Sequence, residues 1–289
     1  MGYPEQNEVG QTTIKTRYES SPRETATMTT EVLRDNFLVE NLFQTDTVEL
    51  VYSHYDRMII GGAMPVQQPV SLPNPVELKA NFFLERRELG IINVGGKGVV
   101  IANGMKHEVH KMDCLYIGKG IPEVVFWSED AAQPAQFFLL SAPAHAAHPP
   151  ALCTKAAATP QHLGAAATAN QRTIYKYIHA NGIPSCQLVM GLTVLNNGSI
   201  WNTMPPHTHD RRMEVYCYFD IPDNQRVLHL MGHPQETRHL WVNNLQAIIS
   251  PPWSIHAGAG TMNYAFIWGM TGENQDFTDM DFLQVNELL

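Results

Sequence analysis

The apolar residues of this chain come in short runs rather than at the i, i+3, i+4 spacing of an amphipathic helix. Glu49-Leu50-Val51-Tyr52-Ser53, Arg57-Met58-Ile59-Ile60, Ile91-Ile92-Asn93-Val94 and Val99-Val100-Ile101-Ala102 are rich in β-branched and aromatic side chains. So are Cys114 to Ile117, Val124 to Trp127 and Phe137 to Leu140. Such runs predict strands, because branched and aromatic side chains fit a pleated, half-buried surface. Later runs predict more: Cys186 to Val194, Val215 to Phe219, Arg226 to Leu230, His239 to Val242, Ala247 to Ile249 and Tyr264 to Trp268. Gly95-Gly96-Lys97-Gly98, Asn103-Gly104 and Asn197-Gly198 fall between runs and read as hairpin turns. The first of these lacks the spacing and following helix of a phosphate loop. One short capped helix is expected to start at Thr30. Many short strands separated by turns predict an all-β fold, sandwich or barrel, with few short helices.

Residues 1–28, polar and rich in Glu, Thr and Ser, read as a flexible arm. Residues 29–141 form a first β half and residues 172–289 a second. Residues 142–171, rich in Ala, Pro and His and without a period, read as a linker. Leu84-Glu85-Arg86-Arg87-Glu88-Leu89 can be laid on His209-Asp210-Arg211-Arg212-Met213-Glu214. Phe82, Leu84 and Leu89 then stand where His207, His209 and Glu214 stand. Likewise Gly118 to Pro122 precedes Val124 to Trp127 as the His256 segment precedes Tyr264 to Trp268. This pattern predicts two tandem halves, of which the second alone keeps polar ligands.

Those ligands are the main chemical signal. Two residues apart on a strand, His207 and His209 present imidazoles to one face. Glu214 lies an odd number of residues on, so a bend at Asp210-Arg211-Arg212 is needed to bring it alongside. His256, after Pro251-Pro252-Trp253-Ser254-Ile255, closes the set. Three neutral nitrogens and one carboxylate oxygen suit a first-row divalent metal. His107 and His110, three apart, face opposite ways, and His145 and His148 sit in the linker, so none of these four is expected to bind metal.

Composition narrows the partners. The 289 residues, 44% hydrophobic, leave room for one large or two medium domains. A net charge of −9 argues against nucleic acid or an anionic membrane as partner. It leaves room for a small anion opposed by a local cluster of cations. No apolar run near the N-terminus suggests a signal peptide, and no stretch reaches the ~20 apolar residues of a membrane helix. Cys114, Cys153, Cys186 and Cys217 form no Cys-x-x-Cys pair and read as small buried hydrophobes, in keeping with a cytoplasmic protein. Asn197-Gly198-Ser199, formally a glycosylation sequon, reads as a turn.

The two-part ligand motif resembles that of the cupins, with Pro-Trp-Ser where Pro-x-Gly is common. Longer strings resemble the 5-keto-4-deoxyuronate isomerase family, also called 4-deoxy-L-threo-5-hexosulose-uronate ketol-isomerases. They are Asn36 to Glu40, Val51 to His54, Phe83 to Gly90, Trp201 to Pro205, Pro234 to His239, Ser254 to His256 and Phe266 to Met270. The resemblance implies tandem cupin-like jelly-roll halves, one Zn2+ per chain, a homo-hexamer and a role in pectin breakdown. It implies conversion of 5-keto-4-deoxyuronate to 3-deoxy-D-glycero-2,5-hexodiulosonate, with His207, His209, Glu214 and His256 as zinc ligands.

An aldose–ketose shift needs a base, for which Glu214, Glu236 and His239 are the candidates. The keto-uronate also carries a carboxylate, which arginine binds with two parallel hydrogen bonds. Arg211, Arg212 and Arg238 are the first candidates and Arg172 and Lys176 further ones. Adjacent residues of a strand face opposite ways, so at most one of Arg211 and Arg212 should reach the pocket. Rival readings are an isomerase of 5-deoxyglucuronate, a cupin dioxygenase and a sugar-sensing cupin without catalysis.

Overall fold

The alternation of apolar runs and turns builds two β-sandwiches in tandem. The computed structural model describes residues 14–273 and 279–289. In the first half a seven-stranded sheet runs in the order Lys15–Arg17, Val48–Ser53, Ile59–Ala63, Phe137–Pro143, Arg87–Asn93, Cys114–Ile117, Ala151–Cys153. In the second half the order is Gln161–Leu163, Arg172–Ile178, Val189–Leu195, Ala265–Gly272, Arg212–Phe219, Gln246–Ser250, Leu38–Val39. Each half adds a four-stranded sheet, Val70–Ser71, Val124–Ser128, Gly98–Ala102, Met105–Val109 in one and Trp201–Asn202, Ala257–Gly260, Val227–His233, Glu236–Val242 in the other. The all-β expectation is borne out.

The two large sheets pack back to back. Leu89 and Ile91 point into the core of the first sandwich, while Ile92, one residue on, joins a cluster with Val189, Val215 and Ile267 of the second half. Burial on both faces is why Arg87–Asn93 and Arg212–Phe219 are buried at every position rather than at alternate ones. Glycines let the backs approach. A Cβ on Gly90 would stand 2.7 Å from the Met190 sulfur, and one on Gly269 would stand 2.1 Å from Leu140 Cδ1. Glu88 adds a polar joint: its buried carboxylate accepts the backbone N–H groups of Cys186, Gln187 and Leu188.

The repeat suggested by Arg87 and Arg212 holds, since both open equivalent strands. Leu89 is paired with Ser141 and Ile117, and Glu214 with Met270 and Ser250, at matching places in the two sheets. The second match was misaligned. Val124–Ser128 occupies the place of Ala257–Gly260, and the equivalent of Ala265–Gly272 is Phe137–Pro143.

Three boundary expectations are corrected. Residues 14–28 are not a free arm: Lys15–Arg17 pairs in parallel with Val51–Ser53, and the helix Pro22–Ala26 starts with a Ser21–Glu24 capping box. Residues 1–13 lie outside the described residues. The helix Thr30–Phe37, capped by Thr29, runs into Leu38–Val39, which pairs in the second half's sheet rather than the first. In return, Ala151–Cys153 from the predicted linker completes the first half's sheet, and Gln161–Leu163 pairs with Arg172–Ile174. Two- and three-residue edge strands are too short to show a period, yet their pairing satisfies backbone groups that an edge would leave open.

Asn103-Gly104 does close a hairpin, with Ala102 opposite Met105. Gly95–Gly98 and Asn197-Gly198 instead turn the chain from one sheet of a sandwich to the other. Among the described residues no helix is long and apolar enough to cross a membrane.

Candidate metal centre

Three separate elements bring the predicted ligands together. His207 lies in a two-residue strand, His207–Thr208, held by Asp281–Phe282 from the C-terminal segment. The chain then turns at Asp210-Arg211, so the odd spacing to Glu214 is absorbed and Glu214 faces inward from Arg212–Phe219. His256 enters from the opposite sheet, just before Ala257–Gly260. One ligand atom from each of the four residues lies within 4.8 Å of the others. Glu214 Oε2 is 2.9 Å from His256 Nε2 and 3.1 Å from His209 Nε2, and the Nε2 atoms of His256 and His207 are 3.1 Å apart.

These spacings fit a metal ion. Four donors at zinc's usual bond lengths stand about 3.3 Å from one another in a tetrahedron. His209 Nδ1 donates to the Arg212 carbonyl at 2.8 Å, which turns Nε2 toward the cluster and fixes the tautomer a ligand needs. His256 Nδ1 stands 3.3 Å from both Ser250 Oγ and the Ser254 carbonyl. His209, Glu214 and His256 are buried, so the donors lose water that an ion would replace.

The charges agree. Burial, then the neighbouring His256, presses His207 down to about 2, so it stays neutral. Burial also raises Glu214, but attraction to His256 and hydrogen bonds from His209 and His256 outweigh it and hold the carboxyl below its usual range. His209 is shifted upward: burial opposes its charge, and the hydrogen bond and charge of Glu214 prevail. An ionised carboxylate ringed by imidazoles is a donor set, not a packed core.

The cluster opens on a cavity of about 370 Å³. Its walls include His207 and Glu214, the aromatic rings of Trp268 and Phe282, and the cationic side chains of Arg172 and Lys176. The Phe282 ring lies 5.6 Å from that of His207. Asp279 of the same C-terminal segment binds the buried Arg212 guanidinium through both carboxylate oxygens, at 3.0 and 2.8 Å.

Comparison with known proteins fits this geometry. The family model described as KduI/IolB matches residues 37–285. The chain belongs to the KduI/IolB family. It is similar to a 4-deoxy-L-threo-5-hexosulose-uronate ketol-isomerase of Halalkalibacterium halodurans, 54% identical over 95% of this chain and 100% of that one. The enzyme of the same name from Formosa agariphila is 53% identical over 96% of this chain and 99% of its own length. An IolB-like protein of Salmonella typhimurium shares the fold with a TM-score of 0.70 at 16% identity, covering 86% of this chain and 97% of that one. Oxalate decarboxylase of Lactobacillus farciminis shares it at 0.51 and 10% identity, over 69% of this chain and 74% of its own. The chain is thus a cupin-like enzyme of the ketol-isomerase class.

Within this family member the remaining sequence candidates separate. Glu236 and His239 are exposed on Glu236–Val242 and do not border the cavity, so the structure does not bring them to the ligands as bases. Arg211 points outward and pairs with Glu273 at 3.3 Å. Arg238 donates to the carbonyls of Thr25, Ala26 and Met28 and so anchors the first helix. Arg212 does reach the cavity wall, as strand alternation requires of one of the two, but its guanidinium faces Asp279. His107, His110, His145 and His148 take no part in the cluster. Sequence reasoning missed Asp279, Met280 and Phe282, which line or brace the cavity from far along the chain with no local motif to mark them. It also missed Thr203, whose hydroxyl lies 2.9 Å from the buried Tyr216 hydroxyl beside the cavity.

Proposed function

We propose that this chain isomerises 4-deoxy-L-threo-5-hexosulose uronate, that is 5-keto-4-deoxyuronate, to 3-deoxy-D-glycero-2,5-hexodiulosonate. In this reading it serves the breakdown of pectin and related polyuronates in the cytoplasm, as a hexamer with one zinc ion per chain. The observation that carries the reading is a three-histidine, one-glutamate cluster at a cavity that Arg172 and Lys176 also line.

The reaction moves one proton from the hydroxyl-bearing carbon to the neighbouring carbonyl carbon and a second from the hydroxyl oxygen to the carbonyl oxygen, so the two groups exchange places and no carbon–carbon or carbon–oxygen single bond breaks. An ion held by His207, His209, Glu214 and His256 would supply Lewis acidity to the substrate oxygens. The protein does the rest. The cavity has room for a small polyol acid, and the buried Trp268 ring gives it one dry wall. A proton carrier must stand within hydrogen-bond reach of the migrating proton. Of the three sequence candidates Glu214 alone borders the cavity. The relatives named for this activity match the chain along nearly its full length, which supports the same reading.

The test is anaerobic turnover of the keto-uronate, followed by NMR, with protein stripped of metal and then reloaded with zinc, manganese or iron. Interconversion of the two keto-acids without oxygen or nicotinamide is expected. Turnover that needs oxygen would favour a dioxygenase, and preference for 5-deoxyglucuronate would favour the related isomerase.

A further inference from the structure

We propose that Arg172 and Lys176 grip the carboxylate of the substrate, which lies over Ile174 between them. This deepens the keto-uronate reading and rests on it. The strand Arg172–Ile178 turns alternate side chains to one face, and Arg172, Ile174 and Lys176 all border the metal-site cavity. Residues four apart on a strand are about 13 Å apart at Cα, a gap that two long side chains leaning toward Ile174 can close. Opposite them, Gly191 pairs with Lys176 and has no side chain, and the Trp268 ring occupies the space a Cβ there would need. The wall behind the pair is therefore flat and aromatic.

Among the described residues Arg172 is a guanidinium with no acid paired to it. It is half-buried, its Nη1 donates to the Asn170 carbonyl at 2.9 Å, and its Nε is buried without a partner among the described residues. Burial presses its pKa below the usual guanidinium value, and the neighbours that oppose this are the phenols of Tyr216 and Tyr264. In a chain of net charge −9 a half-buried cation with no carboxylate partner among the described residues is a site that an anionic ligand would complete. The rival arginines are committed elsewhere: Arg212 to Asp279, Arg211 to Glu273 and Arg238 to three carbonyls. The location also suits the chemistry. Arg172–Ile178 lies three strands from Arg212–Phe219 in the large sheet, about 14 Å along it and less across the curled sandwich. A six-carbon acid can thus turn its carbonyl end to the metal donors and its carboxylate to this pair.

Steady-state kinetics on the keto-uronate with wild type, Arg172→Met, Arg172→Lys and Lys176→Met decides it. Loss of a charge-assisted pair should raise KM roughly 10- to 100-fold, with kcat within about 3-fold and metal content unchanged. Arg172→Lys should recover part of the loss, which a merely structural arginine would not. Unchanged KM in both methionine variants, or a fall in kcat at constant KM, would overturn the assignment. Calorimetric binding of galacturonate against galactose supplies a second readout. Wild type should prefer the acid and Arg172→Met should not; equal preference in both proteins overturns the inference. If wild type fails to turn over the keto-uronate yet shows this preference and loses it in the variant, the functional reading falls and the anion site stands.

Discussion

Replacing Glu88 by alanine removes the acceptor at which the two halves of the chain are joined. Glu88 Oε1 accepts the N–H groups of Gln187 and Leu188, each at 2.8 Å, and Oε2 accepts those of Cys186 at 2.7 Å and the Tyr116 hydroxyl at 2.8 Å. Glu88, Leu188 and Tyr116 are fully buried, whereas Cys186 and Gln187 are half-buried. Water can therefore replace the carboxylate at the latter two but not readily at the former. A buried donor left without an acceptor costs about 1–3 kcal/mol, so Leu188 and Tyr116 together lose about 2–6 kcal/mol. The removed methylenes leave a small cavity that adds to this. We expect a loss of about 3–6 kcal/mol, a large share of the 5–15 kcal/mol typical of a folded domain. The consequence reaches the site, because Cys186–Leu188 feeds Val189–Leu195, whose Gly191 and Thr193 stand behind Trp268.

Urea unfolding of metal-free protein, followed by near-ultraviolet circular dichroism, measures this without the stabilisation that a bound ion adds to the native state. Glu88→Gln, which keeps one acceptor oxygen and the side-chain volume, should fall between wild type and Glu88→Ala. A loss below about 1 kcal/mol with one unchanged transition would show that the halves are held by their apolar backs alone and refute the reasoning.

His209→Ala should abolish stoichiometric metal, read by plasma mass spectrometry, together with turnover; a tightly held ion in the variant would assign the site to other residues. Burial takes His229 down from an ordinary 6.5 to about 3. Below pH 6.5 the unfolded chain therefore binds a proton the folded one refuses, and stability falls by about 1.4 kcal/mol per pH unit as the pH drops toward 3. Metal-free His229→Asn should show a shallower fall in melting temperature over that window than metal-free wild type, and parallel slopes would contradict it. Asp279→Ala removes both carboxylate contacts to Arg212 and should speed amide exchange in His207–Thr208 and Asp281–Phe282; unchanged protection would mean that the strand pairing needs no such anchor.

The convergence of the four candidate ligands was legible because strand parity is a local rule. His207 and His209 had to share a face, and the polar Asp210-Arg211 had to turn before Glu214 could join them. Arg212 was half legible: parity sent one of two arginines inward, but nothing local says that Asp279 waits there. Arg238 misled because an arginine beside a motif looks the same whether it faces a ligand or three helix carbonyls. The exchange of edge strands was illegible for another reason. Leu38–Val39 and Ala151–Cys153 are each too short to carry a period, and the choice of sheet is settled by which edge is left open.

The two halves share one scaffold and differ in what fills the equivalent places. Where Glu214 borders the cavity of the second half and His209 stands beside it, Leu84 and Leu89 fill the core of the first. Ile117 occupies the place of Ser250, whose hydroxyl stands by the His256 ring. Polar donors buried without partners cost several kcal/mol, so ligands can be held only as a complete set around an ion, with their outer hydrogen bonds supplied. A half that loses one ligand gains by losing the rest and packing leucine in their stead. The first half carries the apolar set: Phe137 and Leu139, at the places of Phe266 and Trp268, sit in its apolar core. Its contribution to the site is a mechanical one. Its large sheet backs the sheet that carries Glu214 and Arg172, and through Glu88 it holds the segment that leads into the wall between them.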